Sequence, residues 1–131
     1  MRNKLNAIFE KQLTFQKMCG HPYSDITSSS INKKESLSDR YILAMIDELI
    51  EFRNCLNKKE WEKKRFKINR KHLLEELADV WLFVINLSVL WNVKPSVMLS
   101  VIINKQKIND NRLMGKNKII QILKQHDKKI R

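Results

Sequence analysis

The stretch LLEELADVWLF (residues 73–83) decides how this chain is read. As a helix it is apolar on nearly every side, yet Glu76 and Asp79 stand within it, three residues apart and therefore on one face. A second stretch, AMIDELIEFRN (44–54), repeats the pattern with Glu48 and Glu51. A pair of carboxylates three residues apart is thus set into each of the two most hydrophobic helical segments.

Around these stretches the pattern stays helical. Ile42, Met45, Leu49, Phe52 and Leu56 recur in alternating steps of three and four, which is one helical face. That predicts a helix starting near Ser36 or Ser38, either of which can cap it, with Asp39 favourable in its first turn. The other stretch predicts a central, mostly buried helix from Arg70 to Trp91. NVKPS (92–96) ends it, and Pro95 suits the first turn of a further helix through about Arg112. Upstream, a helix over about Leu5–Cys19 places Phe9, Leu13 and Phe15–Gln16 on or beside its inner face, and GHP (20–22) stops it. The polar segment 24–36 reads as a loop. The basic segment 57–69 reads as a connection with room for a short helical turn. The tail 116–131 reads as a short amphipathic helix on Ile119, Ile120 and Leu123, or as a segment that docks on a partner or frays.

Composition agrees. The chain has 131 residues, 43% of them hydrophobic, with only two Gly and two Pro. Many short strands would need more turn residues, while the apolar content suffices for one core. The expected fold is an all-α bundle of four to five helices, with residues 1–115 as a single domain and 116–131 as a basic tail. Few helices are available to cover an all-round apolar segment 70–91, so a second copy is expected to bury part of it. Cys19 and Cys55 lack partners at metal-site spacing and read as reduced thiols of a cytoplasmic protein. The N-terminal MRNKLNAIFEKQLTFQ carries polar or charged residues in every turn, unlike a secretory signal. The longest apolar run, VWLFVI (80–85), falls far short of the ~20 residues needed to cross a bilayer. A soluble protein without a membrane partner is expected.

The formal net charge of +12 is concentrated: residues 58–71 carry +6 and residues 116–131 carry +5. Such segments suit polyanions, whether nucleic acid or nucleotide phosphates. An alternative function follows from them, a basic helical nucleic-acid-binding or regulatory protein without catalysis, with Trp61 beside Lys and Arg. It gives no reason for the carboxylate pairs.

Antiparallel packing of the two acidic helices would bring both pairs face to face. Unpaired charges in a largely apolar setting cost several kcal/mol each (roughly), so a cation between them is the economical answer. Hard oxygen ligands select Mg²⁺, Mn²⁺ or Ca²⁺ over zinc, and Mg²⁺ is the expected cofactor, with Mn²⁺ as a substitute. No His stands three residues after any of these Glu residues, which argues against a di-iron centre. Solvated flank residues are the ordinary reading of one such pair, but matched pairs on successive hydrophobic helices favour a cluster. Asp47 and Glu75 turn about 100° away and are secondary candidates. Further on, Lys105, Asn109 and Arg112 lie at i, i+4 and i+7 on one helical face, a point charge, an amide and a forked donor suited to phosphate oxygens.

The ordered set ELIE (48–51), ELAD (76–79) and KQKINDNR (105–112) resembles the all-α nucleoside triphosphate pyrophosphohydrolases, a group that includes MazG-like proteins, dCTP pyrophosphatases and dimeric dUTPases. The resemblance covers about residues 5–115. It implies Mg²⁺-dependent hydrolysis of a (deoxy)nucleoside triphosphate to the monophosphate and pyrophosphate, with dUTP or dCTP favoured, by a homodimer or homotetramer. It makes Glu48, Glu51, Glu76 and Asp79 the metal ligands and catalytic residues, with the alternative that one of them, Glu51 being named for it, serves instead as general base. Lys105 and Arg112 would contact phosphates, and Asn109 phosphate or sugar. For the base it points to Gln12, with Phe15 and Gln16 nearby, to Phe83 at an aromatic position, and to Trp61 as a stacking residue; His21 ranks below them. The two basic segments and the lack of long insertions depart from many dimeric dUTPases.

Overall fold

A computed structural model describes residues 3–20, 30–57, 61 and 63–130. Among these residues there are four helices and no strand: α1 (Lys4–Met18), α2 (Ile31–Asn54), α3 (Arg70–Leu90) and α4 (Pro95–Ile130). The all-α expectation holds. The chain forms two compact units, Met1–Pro95 and Ser96–Arg131.

Helix boundaries follow local chemistry. The Asn3 side chain accepts the Leu5 N–H at 3.0 Å and caps α1. Asn69 does the same for the His72 N–H at 3.3 Å, fixing the start of α3 one residue before Arg70. Pro95 opens α4, where its missing N–H costs nothing.

Two expected boundaries differ. Helix α2 begins at Ile31 with Ser30 at its cap position, several residues before Ser36 or Ser38. INKKES holds no Gly or Pro, and Lys33, Lys34 and Glu35 propagate a helix well. Ser38 therefore lies inside α2, where its hydroxyl donates to the Lys34 carbonyl at 2.7 Å. Helix α4 runs on past Arg112 and through Gly115, so segment 116–130 continues the helix that the sequence expected to stop. One Gly costs a helix about 1 kcal/mol and does not end it between good helix formers. The connection after α2 holds no helix among its described residues. His21 and the GHP stop after Gly20 lie outside the described residues.

Within the first unit, α3 packs on both α2 and α1. Its contacts with α2 run antiparallel. Near the start of α2, Trp91 Nε1 donates to Ser38 Oγ at 2.9 Å, and the Lys34 ammonium lies 5.8 Å from the Trp91 ring centroid. One turn on, the Tyr41 and Phe83 rings meet at 6.2 Å, tilted by 51°. Tyr41 and the fully enclosed Leu90 form the core, with Leu13, Leu37, Phe83, Leu87 and Val89 packed around them. Against α1 the contact is polar: Gln12 Nε2 donates to Asn86 Oδ1 at 2.9 Å, and the Tyr41 hydroxyl donates to Gln16 Oε1 at 3.4 Å.

Helix α3 is central to this unit, but it is less buried than its composition predicts. Ile85, Asn86, Ser88 and Leu90 are buried, whereas Leu74, Trp81 and Val84 are exposed, Trp81 by 63%. Two neighbouring helices cover only part of its circumference. No helix among the described residues is long and apolar enough to cross a membrane.

Candidate functional site

The antiparallel register of α2 and α3 carries the acidic residues towards each other. Glu48 on α2 meets Glu76 and Asp79 on α3, each offering one carboxylate oxygen, and these oxygens lie within 4.8 Å of one another. All three side chains are half-buried. Burial raises the pKa of Glu48 above its ordinary value, and the charges of Asp79, Glu76, Glu51 and Asp47 push it further in the same direction.

Glu51 stands apart from this trio. Three residues along a helix leave a side chain about 60° off its predecessor, and here that turns Glu51 to the exposed side. It lines a cleft of about 200 Å³ with Asn54, Cys55, Phe66, Lys67, Asn69 and His72. The cleft connects to the trio through His72, whose Nδ1 sits 3.3 Å from Glu76 Oε1. Cys55 is buried; burial pushes its thiol pKa up, and Glu76 and Glu51 add to the effect, so it stays protonated and unreactive at neutral pH. Asn57 holds the cleft residue Phe66, donating from Nδ2 to its carbonyl and accepting its N–H at Oδ1, both at 2.9 Å.

The donor set fits a hard divalent cation. Two calcium–oxygen bonds span up to about 5 Å and two magnesium–oxygen bonds about 4.2 Å. The three carboxylate oxygens, within 4.8 Å of one another, lie inside the first span and exceed the second by at most about 0.6 Å. Neither thiolate nor imidazole belongs to the trio, which suits Mg²⁺ or Mn²⁺ better than zinc.

The other expected residues divide by place. Lys105, Asn109 and Arg112 are exposed on the second unit, along one face of α4. Gln12 is buried and its amide is engaged by Asn86, while Gln16 is buried beside Tyr41. Phe83 is half-buried against the Tyr41 ring. Trp61 is 79% exposed, and Phe15 is exposed as well. Asn57, His72 and Asn86 were not singled out from sequence. A lone amide on an apolar helix or in a basic loop carries no periodic signal, although His72 lies at i, i+4 to Glu76 and was legible in principle.

Among the described residues, helices alone, two of them antiparallel and sharing an acidic centre, define the class: an all-α protein with a carboxylate cluster between neighbouring helices. A family model described as dUTPase matches residues 4–130, and the chain belongs to that family. No curated protein and no solved structure matches it. The match spans all three motifs, ELIE, ELAD and KQKINDNR, on which the resemblance rested.

Proposed function

We propose that the protein hydrolyses a deoxynucleoside triphosphate, with dUTP first and dCTP second, to the monophosphate and pyrophosphate in a Mg²⁺-dependent reaction. The observation that carries this reading is the convergence of Glu48, Glu76 and Asp79 in a chain of the dUTPase family. These three residues would hold the cation, with Glu51 as a further ligand or as the base. When bound, a divalent cation offsets phosphate charge and lowers the pKa of water.

The chain's own residues account for the rest. In the role of base, Glu51, outside the converging trio, would accept the proton of the attacking water, whose oxygen bonds to the α-phosphorus as the bond to the bridging oxygen breaks and pyrophosphate leaves. Lys105 and Arg112 balance charge on the phosphates, Arg112 through a forked pair of donors. Asn109 contacts phosphate or sugar. Gln12, Phe83 and Trp61 are assigned to the base. The exposed apolar side chains of α3, Trp81 and Val84 among them, support association of two copies.

Chromatographic analysis of the protein with each of the common NTPs and dNTPs, with Mg²⁺ and with EDTA, tests this directly. Monophosphate formed from dUTP or dCTP only in the Mg²⁺ arm supports the proposal. Turnover of neither nucleotide, or turnover unaffected by EDTA, rejects it.

A further inference from the structure

Three carboxylates within 4.8 Å of one another repel, and they sit on two different helices. Before an ion binds, that repulsion works to splay α2 from α3. On one side of the cluster the helices are tied by the Tyr41–Phe83 ring contact and by the Trp91–Ser38 hydrogen bond. On the other side α2 ends at Asn54, and no regular element is described before Arg70. Among the described residues, the Asn57 side chain provides a tie there. Its amide grips both backbone groups of Phe66, nine residues on, at 2.9 Å each. Phe66 leads within three residues to Asn69, the cap of α3, and α3 carries Glu76 and Asp79.

We propose that Asn57 is a positioning residue for the cation site: by clamping Phe66 it fixes the entry of the chain into α3 and holds Glu76 and Asp79 at the right distance from Glu48. This rests on the divalent-cation reading proposed above. An amide suits the task because one side chain supplies a donor and an acceptor in fixed geometry, matching the C=O and N–H of one residue. Asn57 is not one of the three clustered residues, and its amide is bonded to Phe66. Its effect is preorganisation, so its loss weakens ion binding while the fold persists.

Electron paramagnetic resonance titration of Mn²⁺, with melting temperature followed in parallel, tests the proposal on wild type, Asn57→Ala, Leu90→Ala and Glu76→Gln. Leu90→Ala is the structural control, because Leu90 is enclosed in the core beside Tyr41 rather than at the cluster. The expected result is Mn²⁺ affinity weakened about tenfold by Asn57→Ala, within the range for residues that support ligands, and unchanged in Leu90→Ala despite a lower melting temperature. Should Asn57→Ala fold poorly, Asn57→Ser keeps an acceptor for the Phe66 N–H and should weaken binding in the same direction, by less. Equal affinity in wild type and the Asn57 variants, or equal weakening by Leu90→Ala, overturns the proposal. Loss of binding in Glu76→Gln alone would then show that the cation reading survives. Absence of Mn²⁺ binding by wild type overturns both.

Discussion

Gln12 on α1 and Asn86 on α3 are joined by a hydrogen bond of 2.9 Å, with both side chains buried. This amide pair ties α1 to the helix that carries Glu76 and Asp79. Asn86→Leu leaves the Gln12 amide without that partner in a buried setting, which should cost about 1–3 kcal/mol in urea denaturation. Replacing both amides with Leu removes the orphaned group, so the double variant should lie closer to wild type than Asn86→Leu alone. Additive losses would argue against the pairing.

Leu90 has no solvent exposure and packs with Tyr41. Leu90→Ala should destabilise the protein by about 2–5 kcal/mol, the usual range for a cavity left by a buried Leu. Chemical denaturation checks this, and a change below about 1 kcal/mol would contradict the described core.

Glu48 gives a pH signature. Its folded-state pKa is raised, first by burial and then by the neighbouring carboxylates, of which Asp79 comes first. A raised carboxyl pKa means that folding favours the protonated form. That contribution to stability is present below the unfolded pKa and is lost as pH rises through the folded value. In EDTA, Glu48→Gln should therefore melt above wild type near neutral pH, and the gap should close as the pH is lowered through the carboxylate range. Mg²⁺ should stabilise wild type more than the variant. A gap that does not change with pH would remove the electrostatic account.

The two thiols should separate by reactivity. Cys19 is exposed, whereas Cys55 is buried with a raised pKa. A disulfide reagent at neutral pH should titrate Cys19 quickly and Cys55 only on unfolding. Comparable rates for both would place Cys55 at an open surface.

Much of this architecture was legible because it is periodic. Every-third-and-fourth apolar spacing marked α2 as a helix, although Ile42 and Leu49 of that stripe are exposed and the helix buries Ser38 and Tyr41 instead. Pro95, expected in the first turn of α4, is its first residue. Boundaries set by a single residue were harder. Ser36 and Ser38 have capping chemistry, but Ser38 uses its hydroxyl on Lys34 and Trp91 inside the helix, a tertiary choice no local pattern records. The helix expected to end near Arg112 runs on through Gly115. At the site, spacing identified the acidic residues, yet only an actual helix register separates Glu48, which meets α3, from Glu51, which faces the cleft. Asn57 and Asn86 act through partners nine residues on and 74 residues away in sequence, respectively, which no local motif encodes.

Phosphorus NMR of dUTP incubated with Mg²⁺, for wild type beside Glu76→Gln, is the most direct measurement of whether the carboxylates between α2 and α3 drive triphosphate cleavage. Wild type should convert dUTP to dUMP and pyrophosphate in equal amounts, and Glu76→Gln should leave the substrate largely intact while keeping its helical circular dichroism. Appearance of dUDP with orthophosphate, or an undiminished rate in Glu76→Gln, would contradict the account.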